Sequence, residues 1–469
     1  MQEQLPDDTE VQPGLSADGS PEGLYGLTDE AVDAIREALA AADAARVLGL
    51  VRPLHESELA DLIDRLGVDE RRALIATAGS LVGGEVLAYL DENVREAVMR
   101  DLEPREIAAA ISDLDTDDAV SVLEDLDASE LQEVLEALPS EDRAEIEDSL
   151  AYPESSAGRL MQREVVGLPA DWSVGQVIDH MRETDELPDD FYEIYVVDAQ
   201  GSPVGTVPLS RLMRSQRAVV LRDIMDAEVK SIPATTDQEE VARVFQQYNL
   251  VSAPVVAPSG RLIGAVTADD VVGVSGAEAE EDVLLMSGVS SPDIYRDVLR
   301  TAKGRFTWLF VNLFTAMLVS SVIYQFDGTI EQMVGLAVLM PIVASMGGNA
   351  GTQTMAVVVR AIATRDLSPA NVMRVLLKEG VVGGMNGVLF ASLVGTIAGL
   401  WYRDLWLGVV IGAALIINLV VAGLFGLVIP YALWRLRIDP ATAAGVFLTT
   451  MTDVIGFVSF LGLATIFLL

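Results

Sequence analysis

Apolar and polar residues follow three different patterns along this chain. Up to about residue 152, apolar residues recur at helical spacing between acidic turns, as in Leu131, Val134, Leu135 and Leu138. This spacing predicts short amphipathic helices, each ended by a turn. We therefore predict an all-α superhelical N-terminal domain over residues 27–152, with a plain helical bundle as the alternative.

Near residue 153 the pattern changes to short β-branched runs that alternate with helical segments. This stretch repeats itself, because Tyr195-Val196-Val197-Asp198 followed by Gly205-Thr206-Val207 is echoed by Pro254-Val255-Val256 followed by Gly264-Ala265-Val266-Thr267. Strands that alternate with helices in this order predict two copies of a β-α-β-β-α unit over residues 153–275. The pair resembles a tandem CBS domain, a resemblance that implies a regulatory role and, in many such domains, binding of an adenine nucleotide such as ATP.

Long apolar stretches dominate the last third of the chain. They are Phe306–Phe326, about Ile330 to Ala363, about Asn371 to Tyr402, about Leu405 to Trp434, and Pro440–Leu469. Each is close to or longer than the roughly 20 residues that cross about 30 Å of hydrocarbon. We predict an α-helical five-span transmembrane domain over residues 306–469, preceded by a connecting helix over residues 276–305. The chain is therefore expected to be a multi-domain integral membrane protein in a lipid bilayer.

Charge is distributed very unevenly between these parts. Residues 1–300 hold 64 of the 71 acidic residues but only 22 of the 31 basic ones. Such a surface argues against nucleic acid as a partner, because phosphates are bound by Lys and Arg. The chain has no cysteine, and its two histidines, His55 and His180, precede the apolar third. A metal ion must therefore meet oxygen ligands, which favours magnesium, calcium or manganese.

The two ends of the chain lead to different expectations. Residues 1–26 are acidic and rich in Gly, Pro and Ser, and they predict a disordered tail. The basic residues at the ends of the spans fall on one side, with the exception of Arg403; they are Lys303, Arg305, Arg360, Arg365, Arg374, Lys378, Arg435 and Arg437. By the positive-inside bias, we expect a cytoplasmic membrane protein with its N-terminus in the cytoplasm and its C-terminus outside.

Asp453 is the main candidate for chemistry within the membrane. It lies midway along the last span, where a carboxylate costs on the order of 3 kcal/mol even on lenient insertion scales. Helical spacing places it on a small and polar stripe with Gly445, Thr449, Thr452 and Gly456. We interpret this stripe as a face of an ion path. The alternative is that Asp453 is bonded to an asparagine of a neighbouring helix, namely Asn312, Asn386 or Asn418.

The second span contains the polar, glycine-rich run 346–353, which includes Asn349. Three glycines beside amide and hydroxyl groups at membrane depth predict an interrupted helix whose freed backbone lines a water-filled path. The alternative is that the small residues only allow close packing of helices.

The motifs and their order resemble the MgtE family of magnesium channels and transporters. The resemblance rests on the domain order and on four strings, namely residues 347–353, 360–367, 377–379 and 452–456. It implies a homodimer with a pore on the two-fold axis, where Asp453 of each subunit holds a largely hydrated Mg²⁺. Asn349 and Thr449 are the further pore candidates.

In that family Mg²⁺ also binds between the cytosolic domains and the connecting helix and closes the pore. The matching regulatory candidates are Asp270, Glu278, Glu281, Asp282, Asp237, Glu239, Asp117 and Asp118. Three positions depart from the expected acidic set, since the chain has Asn249, Gly273 and Ser121 there. Near the pore it has Gly445 where relatives can carry an amide. The first three departures leave the number and affinity of the sensing sites open, and Gly445 leaves the outer coordination of the ion to Thr449 and backbone groups.

Other classes of protein are less consistent with the sequence. There is no G-x-x-x-x-G-K-[ST] loop for an ATP-driven pump and no H-E-x-x-H motif for a metalloprotease, so we do not expect an enzyme. Two alternatives stay open at this point. One is an ion-coupled carrier of divalent metals, and the other is a magnesium sensor that does not conduct.

Overall fold

The structure is a computed structural model that describes residues 26–124, 126–184, 187–188, 191–289 and 298–469. The predicted acidic tail, apart from Gly26, lies outside the described residues. The chain divides into two compact units, residues 1–274 and residues 275–469.

Short helices build the first part of the N-terminal unit. They are α1 (Asp29–Ala40), α2 (Ala44–Val51), α3 (Glu56–Arg65), α4 (Val68–Ala78), α5 (Gly84–Tyr89), α6 (Glu92–Met99), α7 (Pro104–Ile111), α8 (Thr116–Leu123), α9 (Ala128–Ala137) and α10 (Ser140–Leu150). Each buries one apolar stripe, such as Leu59, Leu62 and Ile63 of α3, and the stripes meet in a single core. The predicted all-α domain is confirmed.

Two small sheets with the same topology follow. The first unit contains β1 (Gly167–Pro169), α11 (Val174–Glu183), β2 (Glu193–Val197), β3 (Pro203–Pro208) and α12 (Leu209–Arg214). After α13 (Leu221–Ile224), the second contains β4 (Ile232–Pro233), α14 (Gln238–Tyr248), β5 (Ser252–Val256), β6 (Leu262–Thr267) and α15 (Ala268–Met286). In each sheet the first pair of strands is parallel and the second antiparallel. The predicted pair of CBS units is confirmed.

The segment 157–164 joins the helical domain to the second sheet. The backbone of Gln162 exchanges hydrogen bonds of 2.8 and 2.9 Å with Ala265 in β6. On its other side, the Gln162 side chain donates to Asp115 at 3.1 Å, and the Thr116 hydroxyl donates to Glu164 at 2.8 Å. These contacts bring the start of α8 beside the end of β6, where acidic residues from both domains meet.

The predicted connecting helix over residues 276–305 is wrong in its extent. Helix α15 begins earlier, at Ala268, and ends at Met286. Gly288 adopts φ +76°, and the amide of Val289 donates back to Leu284 O at 3.0 Å. This is a Schellman-type helix end, which glycine favours because it has no Cβ. Residues 290–297 lie outside the described part of the chain.

Long helices make up the C-terminal unit. They are α16 (Val298–Tyr324), α18 (Gly335–Ala363), α19 (Val372–Tyr402), α20 (Leu405–Arg435) and α21 (Pro440–Phe467), with the short α17 (Asp327–Gln332) between the first two. Among the described residues, α19, α20, α21 and Thr301–Tyr324 of α16 are long and apolar enough to cross a membrane. Helix α18 has 29 residues, long enough to span, and packs in the same bundle. It is less apolar because of its polar run.

The predicted interruption of the second span is wrong. Helix α18 runs without a break through residues 346–353. A methyl group on Gly347 would collide with Asn418 of α20, and one on Gly351 would lie 3.1 Å from Leu448 of α21. These glycines therefore serve close helix packing, which is the alternative reading of the motif. Gly348 has no atom within 4 Å of the place where a Cβ would stand, so it has no such role.

Helices α19 and α20 cross at two facing glycines. A Cβ on Gly395 would lie 2.7 Å from the carbonyl oxygen of Gly408, and a Cβ on Gly408 would collide with the carbonyl oxygen of Gly395. The two backbones therefore touch, and dispersion contacts along the crossing hold the pair together, as is usual for helices in lipid.

We expect Gly408→Ala to destabilise the membrane unit by about 1–3 kcal/mol, because the added methyl group must push two backbones apart. The fraction of protein that stays monodisperse in detergent after heating measures this effect. Gly384→Ala is the matched control on α19, since its methyl group would lie 3.8 Å from Val420 in ordinary contact. Equal heat sensitivity of the two variants would show that the glycine crossing contributes nothing special.

Candidate ion path and acidic clusters

Asp453 lies midway along α21, where it is half-buried among the transmembrane helices. Among the described residues, no donor or basic side chain contacts its carboxylate. The alternative interpretation, a hydrogen bond from Asn312, Asn386 or Asn418, is therefore wrong. An accessible carboxylate without a protein partner at membrane depth is available to a cation.

The polar stripe predicted around Asp453 divides into two faces. Thr449 is exposed, and Gly445 is half-buried. Thr452 and Gly456 are buried instead, because α21 turns them toward its neighbours. The Thr449 hydroxyl donates within the helix to Gly445 O at 3.0 Å, so its oxygen lone pairs stay free to accept. Only the Thr449 and Asp453 side of the stripe can meet an ion.

Asn349 is exposed on α18, with its Nδ2 at 3.5 Å from the Ser345 hydroxyl. This contact is at the outer limit for a hydrogen bond, so the amide is held weakly. Helices α18 and α21 pack side by side, with Leu448 against Gly351. The structure gives no direct bond between Asn349 and Asp453, and any joint action of the two passes through an ion or water.

Asp117 and Asp118 of α8 meet Asp270 at the start of α15, and we call these three residues the α8 cluster. Asp117 is buried, its Oδ1 has no hydrogen-bond partner, and its carboxyl lies within interaction distance of the Asp270 carboxyl. Asp270 Oδ2 accepts from the Thr267 hydroxyl at 2.5 Å and from its amide at 3.3 Å. Predicted regulatory residues from two domains are thus brought together.

The α8 cluster holds negative charge at high cost. Burial, followed by the charge of Asp270, raises the pKa of Asp117 well above its usual value. Burial also raises the pKa of Asp270. The same two causes, burial first and Asp270 second, raise the pKa of Asp118 to about 6. A pair of carboxyls in this state shares a proton at acidic pH, and a cation can replace that proton.

A second group of acids, which we call the α15 cluster, lies within the C-terminal unit. It comprises Glu278, Glu281 and Asp282 of α15 and Asp439 at the start of α21. Burial and then repulsion by neighbouring carboxylates, Asp439 foremost, raise the pKa of Asp282, while Arg360 lowers it. Burial and the charges of Glu278 and Asp439 likewise raise the pKa of Glu281.

Asp439 is a cluster member that sequence reasoning missed. Its carboxylate caps α21 by accepting from the amides of Ala441 at 3.0 Å and Thr442 at 3.1 Å. The Asp-Pro pair before an apolar run is a signal for a helix start, and it predicts a capping role only. That the cap faces α15 is a matter of tertiary packing.

The remaining regulatory candidates have other local roles. Asp237 and Glu239 are exposed at the start of α14, where Asp237 accepts from the Glu239 amide at 3.0 Å as an N-cap. Asn249 ends the same helix with φ +51°, a left-handed conformation that asparagine tolerates well. The Ser121 hydroxyl donates to Asp118 O at 3.0 Å.

Neither cluster is a finished metal site. Across the described ranges, no three acidic or histidine side chains are close enough to enclose a metal ion by themselves. In both clusters the carboxylates are not neutralised by enough nearby positive charge. Such an arrangement suits a cation that keeps part of its water shell. Magnesium dehydrates reluctantly and is often bound by one or two carboxylates plus water.

A cavity of about 280 Å³ lies between the two CBS units. Its lining includes Tyr192, Glu193, Asp226, Lys230 and Ser252. Ser252 donates to Glu193 at 2.7 Å, and burial raises the pKa of that carboxyl. Lys230 lies over the ring of Tyr248, with its Nζ 4.7 Å from the centroid. The cavity combines an aromatic wall, hydroxyls and charged groups of both signs.

Comparison with known proteins gives the same order of domains. The family model for the MgtE intracellular N domain matches residues 54–155, CBS domain models match 157–218 and 221–276, and the MgtE divalent cation transporter model matches 340–463. The magnesium transporter MgtE of Thermus thermophilus is 35% identical over 321 residues, which is 68% of this chain and 71% of that protein. The magnesium transporter MgtE of Bacillus subtilis is 31% identical over 319 residues, 68% of this chain and 70% of that protein.

A solved structure of the cytosolic domain of the Mg²⁺ channel MgtE in complex with ATP is 30% identical, with a TM-score of 0.47, and covers 52% of this chain and 99% of that one. Helices that can cross a membrane, an unpartnered carboxylate within one of them and a CBS pair define a multi-pass membrane protein that transports cations. The chain belongs to the MgtE family of magnesium transporters.

We expect Asp118→Asn to stabilise α8 when divalent cations are absent. The folded state holds the Asp118 proton more tightly than the unfolded chain, so the parent loses stability as pH rises from about 4 to about 6. The gain in stability of Asp118→Asn over the parent should be small near pH of about 4 and complete above pH of about 6. Allowing for solvent screening of this partly exposed group, it should be on the order of 1 kcal/mol.

Hydrogen exchange of residues 116–123 in the full-length protein with a chelator, parent and variant compared at equal pH, measures this difference. Asp113→Asn is the control, because Asp113 is an exposed acid just before the same helix. If the effect did not depend on pH, or if the control had an equal effect, the Asp118 carboxylate would not be the group that destabilises α8.

Proposed function

We propose that the chain forms a homodimeric Mg²⁺ channel of the cytoplasmic membrane, with Asp453 of each subunit facing a common pore. The observation that carries this proposal is the half-buried, unpartnered Asp453 carboxylate within α21. Two symmetry-related carboxylates match the charge of one divalent cation. The membership of the chain in a family of magnesium transporters supports the choice of ion.

In this proposal the ion passes with most of its water shell. Magnesium gives up water reluctantly, so carboxylates act on it through retained waters and by charge. Asn349 and Thr449 are exposed side chains that can accept hydrogen bonds from the same waters. We do not expect catalysis of any chemical reaction.

Cytosolic Mg²⁺ closes the channel in this proposal by binding at the α8 and α15 clusters. Without divalent ions the carboxylates of each cluster repel one another, and the domains that carry them are pushed apart. A bound cation offsets the repulsion. It favours the compact, closed state because it binds that state more tightly than the open one. The unpartnered, buried Asp117 Oδ1 fits such an ion. Asp237 and Glu239 belong to the same proposal as weaker, exposed contributors.

The CBS cavity is proposed to bind an adenine nucleotide such as ATP. Support comes from its aromatic wall at Tyr192, the hydroxyl of Ser252 and the cationic Lys230.

We also propose that the N-terminus lies in the cytoplasm and the C-terminus outside. The basic residues at the ends of the spans support this orientation.

Flux of Mg²⁺ into liposomes that contain the purified protein tests the proposed function. A channel should conduct Mg²⁺ with or without an imposed proton or sodium gradient. Flux that needs the gradient would make the protein an ion-coupled carrier. Absence of flux in both conditions, with Mg²⁺ still bound, would make it a sensor that does not conduct.

Asp453→Asn should reduce Mg²⁺ flux at least roughly tenfold, because a loss of only about 1.4 kcal/mol in the interaction with the ion has that effect. Folding should survive, since the change removes a charge from the apolar bundle. Asp327→Asn is the matched control, as Asp327 is an exposed acid of the same unit. Parent-like flux through well-folded Asp453→Asn would refute the role of Asp453.

Neutralising the three acids that α15 contributes to its cluster, by Glu278→Gln, Glu281→Gln and Asp282→Asn together, should leave the channel open at Mg²⁺ levels that close the parent. The physical reason is that α15 then contributes no carboxylate to this cluster for the ion to bridge to Asp439. Single-channel recording over a Mg²⁺ titration measures the threshold, and limited proteolysis of the connecting region follows the compact state.

The matched control removes three exposed acids of the helical domain, by Glu30→Gln, Glu133→Gln and Glu141→Gln. It changes the net charge by the same amount, so it separates a local effect from a general one. If the triple variant in α15 kept the parent's threshold and protection, those acids would be only a solvated surface.

A further inference from the structure

Asn418 is a polar residue at the centre of the membrane unit that the proposed ion path does not use. It lies on α20 and is completely buried. Its Nδ2 donates to the carbonyl oxygen of Val343 on α18 at 2.8 Å. Its Oδ1 is also buried and has no hydrogen-bond partner among the described residues.

Two glycines make the space for this amide. A Cβ on Gly456 of α21 would lie 2.7 Å from Asn418 Nδ2, and a Cβ on Gly347 of α18 would collide with the same atom. Asn418 of α20 therefore touches both α18 and α21. The two glycines are close in sequence to the proposed path, since Gly347 precedes Asn349 by two residues and Gly456 follows Asp453 by three.

The unpaired Oδ1 is expensive in an apolar interior, because a buried acceptor without a donor costs roughly 1–3 kcal/mol. A leucine has a similar size and would avoid that cost. The amide gains only one hydrogen bond, to a carbonyl oxygen that the helix can already satisfy. Stability alone therefore does not explain an asparagine here.

We propose that Asn418 is a positioning residue for ion selectivity, an inference that rests on the proposed channel function. By tying Val343 to α20 and filling the notch between Gly347 and Gly456, it sets the spacing of α18 and α21. That spacing places Asn349 relative to Asp453. A pore that holds a hydrated ion distinguishes Mg²⁺ from Ca²⁺ by the size and rigidity of the water shell, so small changes in spacing alter the ratio of their fluxes.

Asn418→Leu in the full-length protein in liposomes tests the proposal. It keeps the volume and removes the hydrogen bond. We expect the protein to fold and conduct, with the ratio of Mg²⁺ to Ca²⁺ flux lowered by about threefold or more, which is a typical size of coupling between neighbouring residues. An unchanged ratio in a folded, conducting variant overturns the proposal.

A pair of compensating changes covers the case in which Asn418→Leu does not fold. Gly347→Ala alone should disrupt the bundle, and Gly347→Ala with Asn418→Ala should restore folding because the added methyl group now has room. If Asn418 only fills space, the double variant regains the parent's flux ratio, which would overturn the proposal. A folded double variant with a lowered ratio supports it.

The matched control is Thr465→Val, which removes another side-chain hydrogen bond between elements, the partly buried one between the hydroxyls of Thr465 and Thr329 of α17 at 2.9 Å. Thr465 is 12 residues from Asp453, which is about 18 Å along a helix. The control should keep the parent's flux ratio, and an equal shift there would overturn the special role of Asn418. Failure of the channel function itself is recognised separately, because the parent protein would then show no Mg²⁺ flux or a flux that needs an imposed gradient.

Discussion

A carboxylate that is removed from water and given no positive partner is costly, and this cost recurs at each candidate functional site of the protein. The chain has 71 acidic and 31 basic residues, so many acids have no base to pair with. The carboxyls of Asp117 and Asp270 lie next to each other, and Asp282 faces Asp439. Asp453 has no hydrogen-bonding or basic partner among the described residues. In each case a cation is the partner that would lower the free energy. The proposed transport and the proposed sensing therefore rest on the same physical imbalance.

The membrane unit solves a different problem, which is to hold helices together without the hydrophobic effect. It does so by close approach of backbones, as where Gly395 meets Gly408 and where Gly347 and Gly351 admit side chains of α20 and α21. Tight packing of this kind makes the position of each helix depend on small residues. Asn418 differs from these glycines, because a polar group occupies space that an apolar one could fill.

Much of the architecture could be predicted because it follows from local periodicity. Strand repeats at Tyr195 and Pro254 identified two equal units, and the length of the apolar stretches identified the spans. The glycine-rich run around Asn349 predicts a break that the structure does not contain, since glycine permits both an unwound backbone and a close helix contact. Only the neighbour decides between them, and here the neighbours are Asn418 and Leu448. The sequence pattern also does not predict the end of α15 near Gly288, where a glycine in the left-handed conformation follows the last turn of the helix.

The sequence by itself determined the domain order, the oxygen-only chemistry available to a metal ion, and Asp453 as an acid midway along a span. These follow from residue type and spacing along one element, which are local properties. Only the tertiary structure decided which acids meet: Asp117 with Asp270, and Asp439 with the acids of α15. It also decided that Asn418 binds Val343 and not Asp453. Contacts between elements depend on how helices pack in three dimensions, and the spacing of residues along a single helix carries no record of that packing.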